Sequence, residues 1–196
     1  MAQTIQTYDL LAKEYDDETT DFWERFPRTF LDKFAELAKG AVLSVGSGPG
    51  RDGLLLKERG FTVTCLDASK EMVKLCEEKG FHSVLGDFND MPFDEASFDG
   101  VWAYTSLLHV EKSQVHKALQ EIKRVLKPGG ILGLGLIEGE TEEYRESSGI
   151  KMPRWFSFYR KEEIGLLLKK EGFEIIHFEQ FKPGSKNYLN FIAKRN

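Results

Sequence analysis

The stretch Val42-Leu43-Ser44-Val45-Gly46-Ser47-Gly48-Pro49-Gly50-Arg51-Asp52-Gly53 decides the fold. Residues 41 to 45 read as a buried strand. The glycines that follow permit a tight turn into a helix over 51–59, which Gly60 stops. At such a turn, backbone N–H groups uncovered by side chains converge on the helix N-terminus, where they can meet a ligand. Gly48 to Gly53 also satisfies G-x-G-x-x-G, a spacing used for dinucleotides. Asp67 follows Gly46 by 21 residues and ends the next strand, where a carboxylate can accept both hydroxyls of a ribose. A nucleoside-containing ligand is implied.

Outward from this stretch, short β-branched runs alternate with helical patterns. Strands are predicted over 61–66, 82–85, 98–104 and 131–137. Between them Ser69 caps a helix running to Lys79, and Val115, Ala118, Leu119, Ile122, Val125 and Leu126 mark an amphipathic helix ended by Pro128-Gly129-Gly130. That alternation predicts βαβ units and a parallel sheet. A further helix spans 162–171. Residues 174–181 and 188–194 then alternate about the turn KPGSKN, too short for a crossover helix, so the sheet ends in an antiparallel hairpin. Residues 1–40 read as two helices, about 5–15 and 28–39, forming a cap on the same domain, while 41–196 form the core. Residues 138–160 are a long connection without a clear element, of the kind that carries function.

Composition narrows the classes of function. With 196 residues, 41% hydrophobic and 30% charged, the chain is expected to form one globular domain. Uncharged stretches such as 100–110 and 128–137 are too short to span a bilayer, and the first residues lack a basic segment followed by an apolar run. No membrane association and a cytoplasmic location are therefore expected. Cys65 and Cys76 have no CxxC or Cys/His cluster around them, so neither a metal nor a disulfide is expected. The net charge is −5, and only residues 151–196 are basic, with their lysines and arginines scattered. That argues against a nucleic-acid partner and for a small-molecule one.

Four blocks together resemble the class I S-adenosylmethionine-dependent methyltransferases, in particular those acting on small molecules. They are VLSVGSGPGRD (42–52), VTCLDASKEMVKLC (63–76), GDFNDMPFDEASFDGVWA (86–103) and LKPGGILGL (126–134). The resemblance implies an α/β, Rossmann-like, seven-stranded, mostly parallel sheet with the C-terminal hairpin and the N-terminal helical cap. It implies S-adenosylmethionine as cofactor and S-adenosylhomocysteine as product. Carried over by position, Gly46, Ser47, Gly48 and Gly50 would line the methionine and ribose, Asp67 with Ala68 beside it would hold the ribose hydroxyls, and Asp87 and Phe88 would meet the adenine. Ala103 and Tyr104 would lie near the sulfonium. One position departs from the family: Ser44 stands where an Asp or Glu usually ends the first strand, and a hydroxyl offers no charge to the cofactor's amino group.

Methyl transfer from a sulfonium needs alignment of the reacting atoms and exclusion of water more than it needs a nucleophilic side chain. Just past the fourth strand, His109 is the candidate base. Tyr8 and Tyr15, seven residues apart on one helical face, are candidates for closing a lid. In MPRWFSFYR (152–160), Arg154 and Tyr159 are candidate substrate contacts, since a guanidinium there would suit a flat or anionic molecule. The expected activity is methyl transfer to O, N or S of a small molecule. A protein that binds the cofactor without turnover, and an NAD-linked oxidoreductase drawn from the literal G-x-G-x-x-G, are the other readings.

Overall fold

The computed structural model describes residues 2–147 and 149–196. Four helices come first: α1 (Ala2–Leu10), α2 (Ala12–Thr19), α3 (Phe22–Arg25) and α4 (Thr29–Leu37). There follow β1 (Ala41–Val45), α5 (Arg51–Glu58), β2 (Thr62–Asp67), α6 (Lys70–Glu78), β3 (His82–Leu85) and β4 (Phe98–Tyr104). A 3₁₀ turn (Leu107–His109) leads to α7 (Val115–Val125) and β5 (Leu126–Ile137). The chain finishes with β6 (Glu142–Ser147), β7 (Ile150–Ser157), α8 (Lys161–Lys170), β8 (Phe173–Phe181) and β9 (Tyr188–Arg195).

Seven strands form one sheet in the order β3-β2-β1-β4-β5-β9-β8. The first five are parallel, with Leu43 opposite Thr64 on one side and Val101 on the other, and β9 runs antiparallel to both β5 and β8. From β1 the chain crosses to β2 on one side, whereas β4 lies on the other. The carboxyl ends of β1 and β4 therefore flank a crevice at the switch point, where open α/β sheets place their ligands. The α/β architecture, the terminal hairpin and the N-terminal helices match expectation.

The apolar patterns explain why these elements form. Helix α7 buries Val115, Ala118, Leu119, Ile122 and Val125, five of the six residues of the predicted stripe, while the sixth, Leu126, is buried at the start of β5. Ser69 Oγ accepts a hydrogen bond from Met72 N at 3.2 Å and caps α6 as predicted. Helix α4 buries Phe30 and Phe34 beneath Trp102 at centroid distances of 5.1 and 5.0 Å. Each such buried side chain contributes roughly 1.5–3 kcal/mol.

Four local features differ from expectation. The first helix bends at Leu11, where φ is −120° and ψ is 25°, dividing it into α1 and α2. A one-turn α3, absent from the prediction, follows. Strand β5 begins five residues early, because Leu126 already pairs with Phe98 before the Pro-Gly-Gly turn shifts the register. The 138–160 connection contains an antiparallel pair, with Glu143 opposite Phe156 and Arg145 opposite Arg154. Its first strand, EEYRES, is exposed and polar on both faces, so it carries no period-two signal.

Candidate active site

A cavity lies at the β1/β4 switch point under α1 and α2. Its floor is the glycine turn. Gly46 has φ +61°, and a Cβ there would stand 2.4 Å from Ser106 Cβ, so only glycine fits between the ends of β1 and β4. Ser106 Oγ donates to Val45 O at 2.7 Å and holds the two strand ends together. Beside them Thr105 has φ +54°, a conformation that a β-branched residue adopts only under constraint and that concentrates at functional sites.

Asp67 faces this turn from the end of β2. Its Oδ2 accepts from Gly48 N at 2.8 Å and its Oδ1 from Ser69 N at 2.9 Å, which fixes the carboxylate across the cavity. Burial pushes its pKa up to about 6 against the opposing pull of these N–H groups, and nearby Asp9 adds to the rise. Gly46, Ser47, Gly48, Asp67, Ala68, Asp87, Phe88 and Tyr104 all line the cavity. Asp87 Oδ1 accepts from Asn89 N at 2.7 Å, and the Phe88 ring is buried.

Two expected lining residues are elsewhere. Gly50 caps α5 with its Cα turned toward Phe81 and Cys76, so its part is to make the turn. Ala103 is fully buried on the opposite face of β4, because alternation gives the cavity face to Trp102 and Tyr104, whose rings stack at 5.6 Å.

The structure adds a group that the sequence did not single out. Asp52 is 6% exposed and lines the cavity together with Ser44. Trp23 Nε1 and Arg51 Nε each donate to its Oδ1 at 2.7 Å, and Trp102 Nε1 donates to Oδ2 at 2.9 Å. Asp52 thus brings a negative charge to the region where Ser44 carries none, already shared with Arg51. That guanidinium lies 4.4 Å from the Phe22 ring centroid.

The other half of the site is built from α1, the 3₁₀ turn and β7. His109 Nδ1 lies 2.5 Å from Trp155 O; a carbonyl only accepts, so Nδ1 carries the proton. Nε2 is then an acceptor, and it receives the Tyr8 hydroxyl at 2.9 Å. Arg154 Nη1 donates to the same Tyr8 oxygen at 3.0 Å. Burial, reinforced by the Arg154 charge, holds the His109 pKa down to about 4, while burial drives the Tyr8 pKa upward. Tyr15 packs edge-on against Tyr8 at 5.3 Å.

Of the acceptor-side candidates, Tyr8, Tyr15, His109 and Arg154 converge. Tyr159 does not: it is wholly buried beneath Lys112, 4.9 Å from its ring, and lines neither this cavity nor the one beyond it.

The cap is tied down at several points. Asp9 Oδ1 accepts from Ser69 Oγ at 2.7 Å, Thr7 Oγ1 donates to Pro153 O at 3.0 Å and Trp155 N to Thr4 Oγ1 at 2.9 Å. Lys79 Nζ bridges Asp16 of α2, at 2.7 Å, and Pro49 O of the glycine turn, at 2.8 Å. Among the described residues no cluster of His, Cys, Asp and Glu could hold a metal ion, and no helix is long and apolar enough to cross a membrane.

A switch-point cavity with a glycine turn and a strand-end acid is the arrangement in which open α/β sheets bind nucleoside ligands. Comparison with known proteins makes this specific. Residues 43–134 match the methyltransferase domain family. An uncharacterized protein of Methanocaldococcus jannaschii is 29% identical over 184 residues, covering 90% of this chain and 85% of that one. An O-methyltransferase of Aspergillus sclerotiorum is 25% identical over 184 residues, covering 88% of this chain and 69% of that one. The 1,6-didemethyltoxoflavin-N1-methyltransferase of Burkholderia thailandensis, solved with 1,6-didemethyltoxoflavin and S-adenosylhomocysteine, has the same fold: TM-score 0.72, 20% identity, 98% of this chain and 88% of that one. Over residues 43–134 the chain is thus similar to the methyltransferase domain family, and its fold is shared with a methyltransferase solved with S-adenosylhomocysteine.

Proposed function

We propose that the protein transfers a methyl group from S-adenosylmethionine to a nucleophilic O, N or S atom of a small molecule. The observation that carries this reading is one cavity with two chemically distinct ends, the Gly46–Asp67 end and the Tyr8–His109 end, beneath a cap hydrogen-bonded shut over both. When bound, the cofactor supplies a methyl group already activated on a sulfonium.

The residues fit this cofactor. Asp67, oriented by Gly48 N and Ser69 N, has free lone pairs for the ribose hydroxyls. Gly46 and Gly48 leave the backbone open to the amino-acid moiety, and Asp87 and Phe88 frame the base. The Tyr104 and Trp102 rings form a wall suited to a cation. Residues 1–40 act as the lid that excludes water, and 138–160 are the substrate-side insertion, bringing Arg154 to Tyr8. His109 serves as base only toward an acceptor that displaces the Tyr8 hydroxyl from Nε2, because both ring nitrogens are otherwise engaged.

The test is a calorimetric titration with S-adenosylmethionine, with NAD as matched control, followed by transfer of labelled methyl to a panel of nucleophiles. Binding of the former alone, with turnover, is expected. Heat with NAD alone would overturn the reading, and cofactor binding without turnover on any nucleophile would leave a binding module in its place.

A further inference from the structure

Beyond Tyr8 and His109 the site opens into a second cavity between the cap, β7 and the β5/β9 end of the sheet. It shares Tyr8, Tyr15, Arg51 and His109 with the first and adds Arg154, Lys186 and the rings of Phe156 and Tyr188. Its described lining contains cations and aromatic rings and no Asp or Glu.

The two arginines differ. Arg51 is neutralised by Asp52 at 2.7 Å. Arg154 is only 3% exposed, and no carboxylate among the described residues lies within 4 Å of it. Its Nη atoms donate to neutral oxygens, the Tyr8 hydroxyl and Ser147 O, and its Nε has no partner. Its guanidinium lies 5.3 Å from the Tyr8 ring centroid and 5.4 Å from that of Phe156. A buried guanidinium without a counter-charge is costly, and a planar anion is the partner its fork is shaped to take. The neighbouring histidine has both ring nitrogens committed, so it is not poised as a base, and the site suits an acceptor that arrives already charged.

We infer that the methyl acceptor is a small organic acid with a planar or apolar body, bound as its anion with the carboxylate on Arg154 and methylated at an anionic oxygen. This rests on the methyltransferase reading above. The acceptor oxygen forms the new bond to the methyl carbon as the carbon–sulfur bond breaks and its electron pair stays on sulfur. The acceptor's negative charge and the sulfonium's positive charge cancel, so no proton has to be placed.

The test begins with S-adenosylhomocysteine binding, whose failure would bring down the underlying methyltransferase reading instead. The protein saturated with that product is then titrated with matched acids and primary amides: benzoic, cinnamic, salicylic, indole-3-acetic and hexanoic acids against their amides. At least one acid is expected to bind tenfold or more tightly than its amide. Arg154→Gln is expected to remove that preference while keeping the affinity for S-adenosylhomocysteine within threefold, and Arg154→Lys to restore it in part. Amides binding as well as acids, acids binding undiminished to Arg154→Gln, or no acid binding to the loaded protein would each overturn the inference. The acid-to-amide ratio in the unaltered protein decides the matter even if the variants do not fold.

Discussion

The two ends of the site are opposites in charge and in construction. The cofactor end is acidic and built mainly from one contiguous stretch, with Asp67 held by the backbone of Gly48 and Ser69. The acceptor end is basic and aromatic, and its central contact joins Tyr8 to His109 and to Arg154, 101 and 146 residues away in the chain. A site that binds a sulfonium at one end and an anion at the other would align the two for in-line transfer, and that positioning is its contribution, because the charges cancel as the methyl moves. The difference also teaches where mutations should separate the two functions.

The largest separation is expected at Asp67. Asp67→Ala would remove the proposed acceptor for two ribose hydroxyls, and charge-assisted hydrogen bonds contribute about 1.5–3 kcal/mol each. The affinity for S-adenosylhomocysteine should fall about 100-fold or more by calorimetry, whereas Arg154→Gln should leave it nearly unchanged. Equal losses in both would erase the division between the ends. Because the Asp67 pKa sits near 6 in the free protein, cofactor affinity should also weaken as pH falls from 7 to 5.

Asp52 stands where the ends meet. Asp52→Asn leaves Arg51 without its counter-charge in both cavities and sets an amide among three donors, so a loss of about 3 kcal/mol in stability is expected from denaturant unfolding. Gly46→Ala comes next. Its Cβ would collide with Ser106, and its φ disfavours any side chain; a cost of about 2 kcal/mol lowers Tm by about 4–8 °C in a domain of this size. An unchanged Tm would mean that the strand ends are free to move apart.

How far each end could be seen in the sequence follows from how it is built. The glycine turn and Asp67 lie within 22 residues whose backbone demands leave few residue types possible, so pattern alone placed them. On the acceptor side, His109, Arg154 and Tyr159 are candidates by their chemistry and Tyr8 and Tyr15 by their shared helical face, but no spacing in the chain announces that Tyr8, His109 and Arg154 meet. Tyr159 carried the same chemical signal and is instead packed in the core. Ala103 lies off the cavity by one residue of strand parity, which the apolar run 98–104 cannot reveal because both faces of β4 are buried. Asp52 reads in sequence as an ordinary first-turn acid favoured by the helix dipole. Its three donors come from separate elements, and two of them are tryptophans whose only sequence signal is their rarity.

The smallest expected effect is the most specific to the comparison, because the two ends titrate in opposite senses. Asp67 has its pKa raised from 3.8 to about 6, so between those values the folded state holds a proton that the unfolded state has lost, and stability rises as pH falls. His109 has its pKa lowered from 6.5 to about 4, so across that window the unfolded state holds the extra proton, and stability falls with pH. From pH 6 to 4 the two contributions oppose each other. His109→Gln therefore leaves the Asp67 effect unopposed, and Tm should fall less on acidification than in the unaltered protein. Asp67→Asn should make it fall more. Each group changes the slope by at most about 1.4 kcal/mol per pH unit, which corresponds to about 3–6 °C in Tm for a domain of this size. Melting curves of the three proteins between pH 6.5 and 4.5 read the order directly. Parallel curves would show that the acidic and basic ends do not hold their protons in opposite directions.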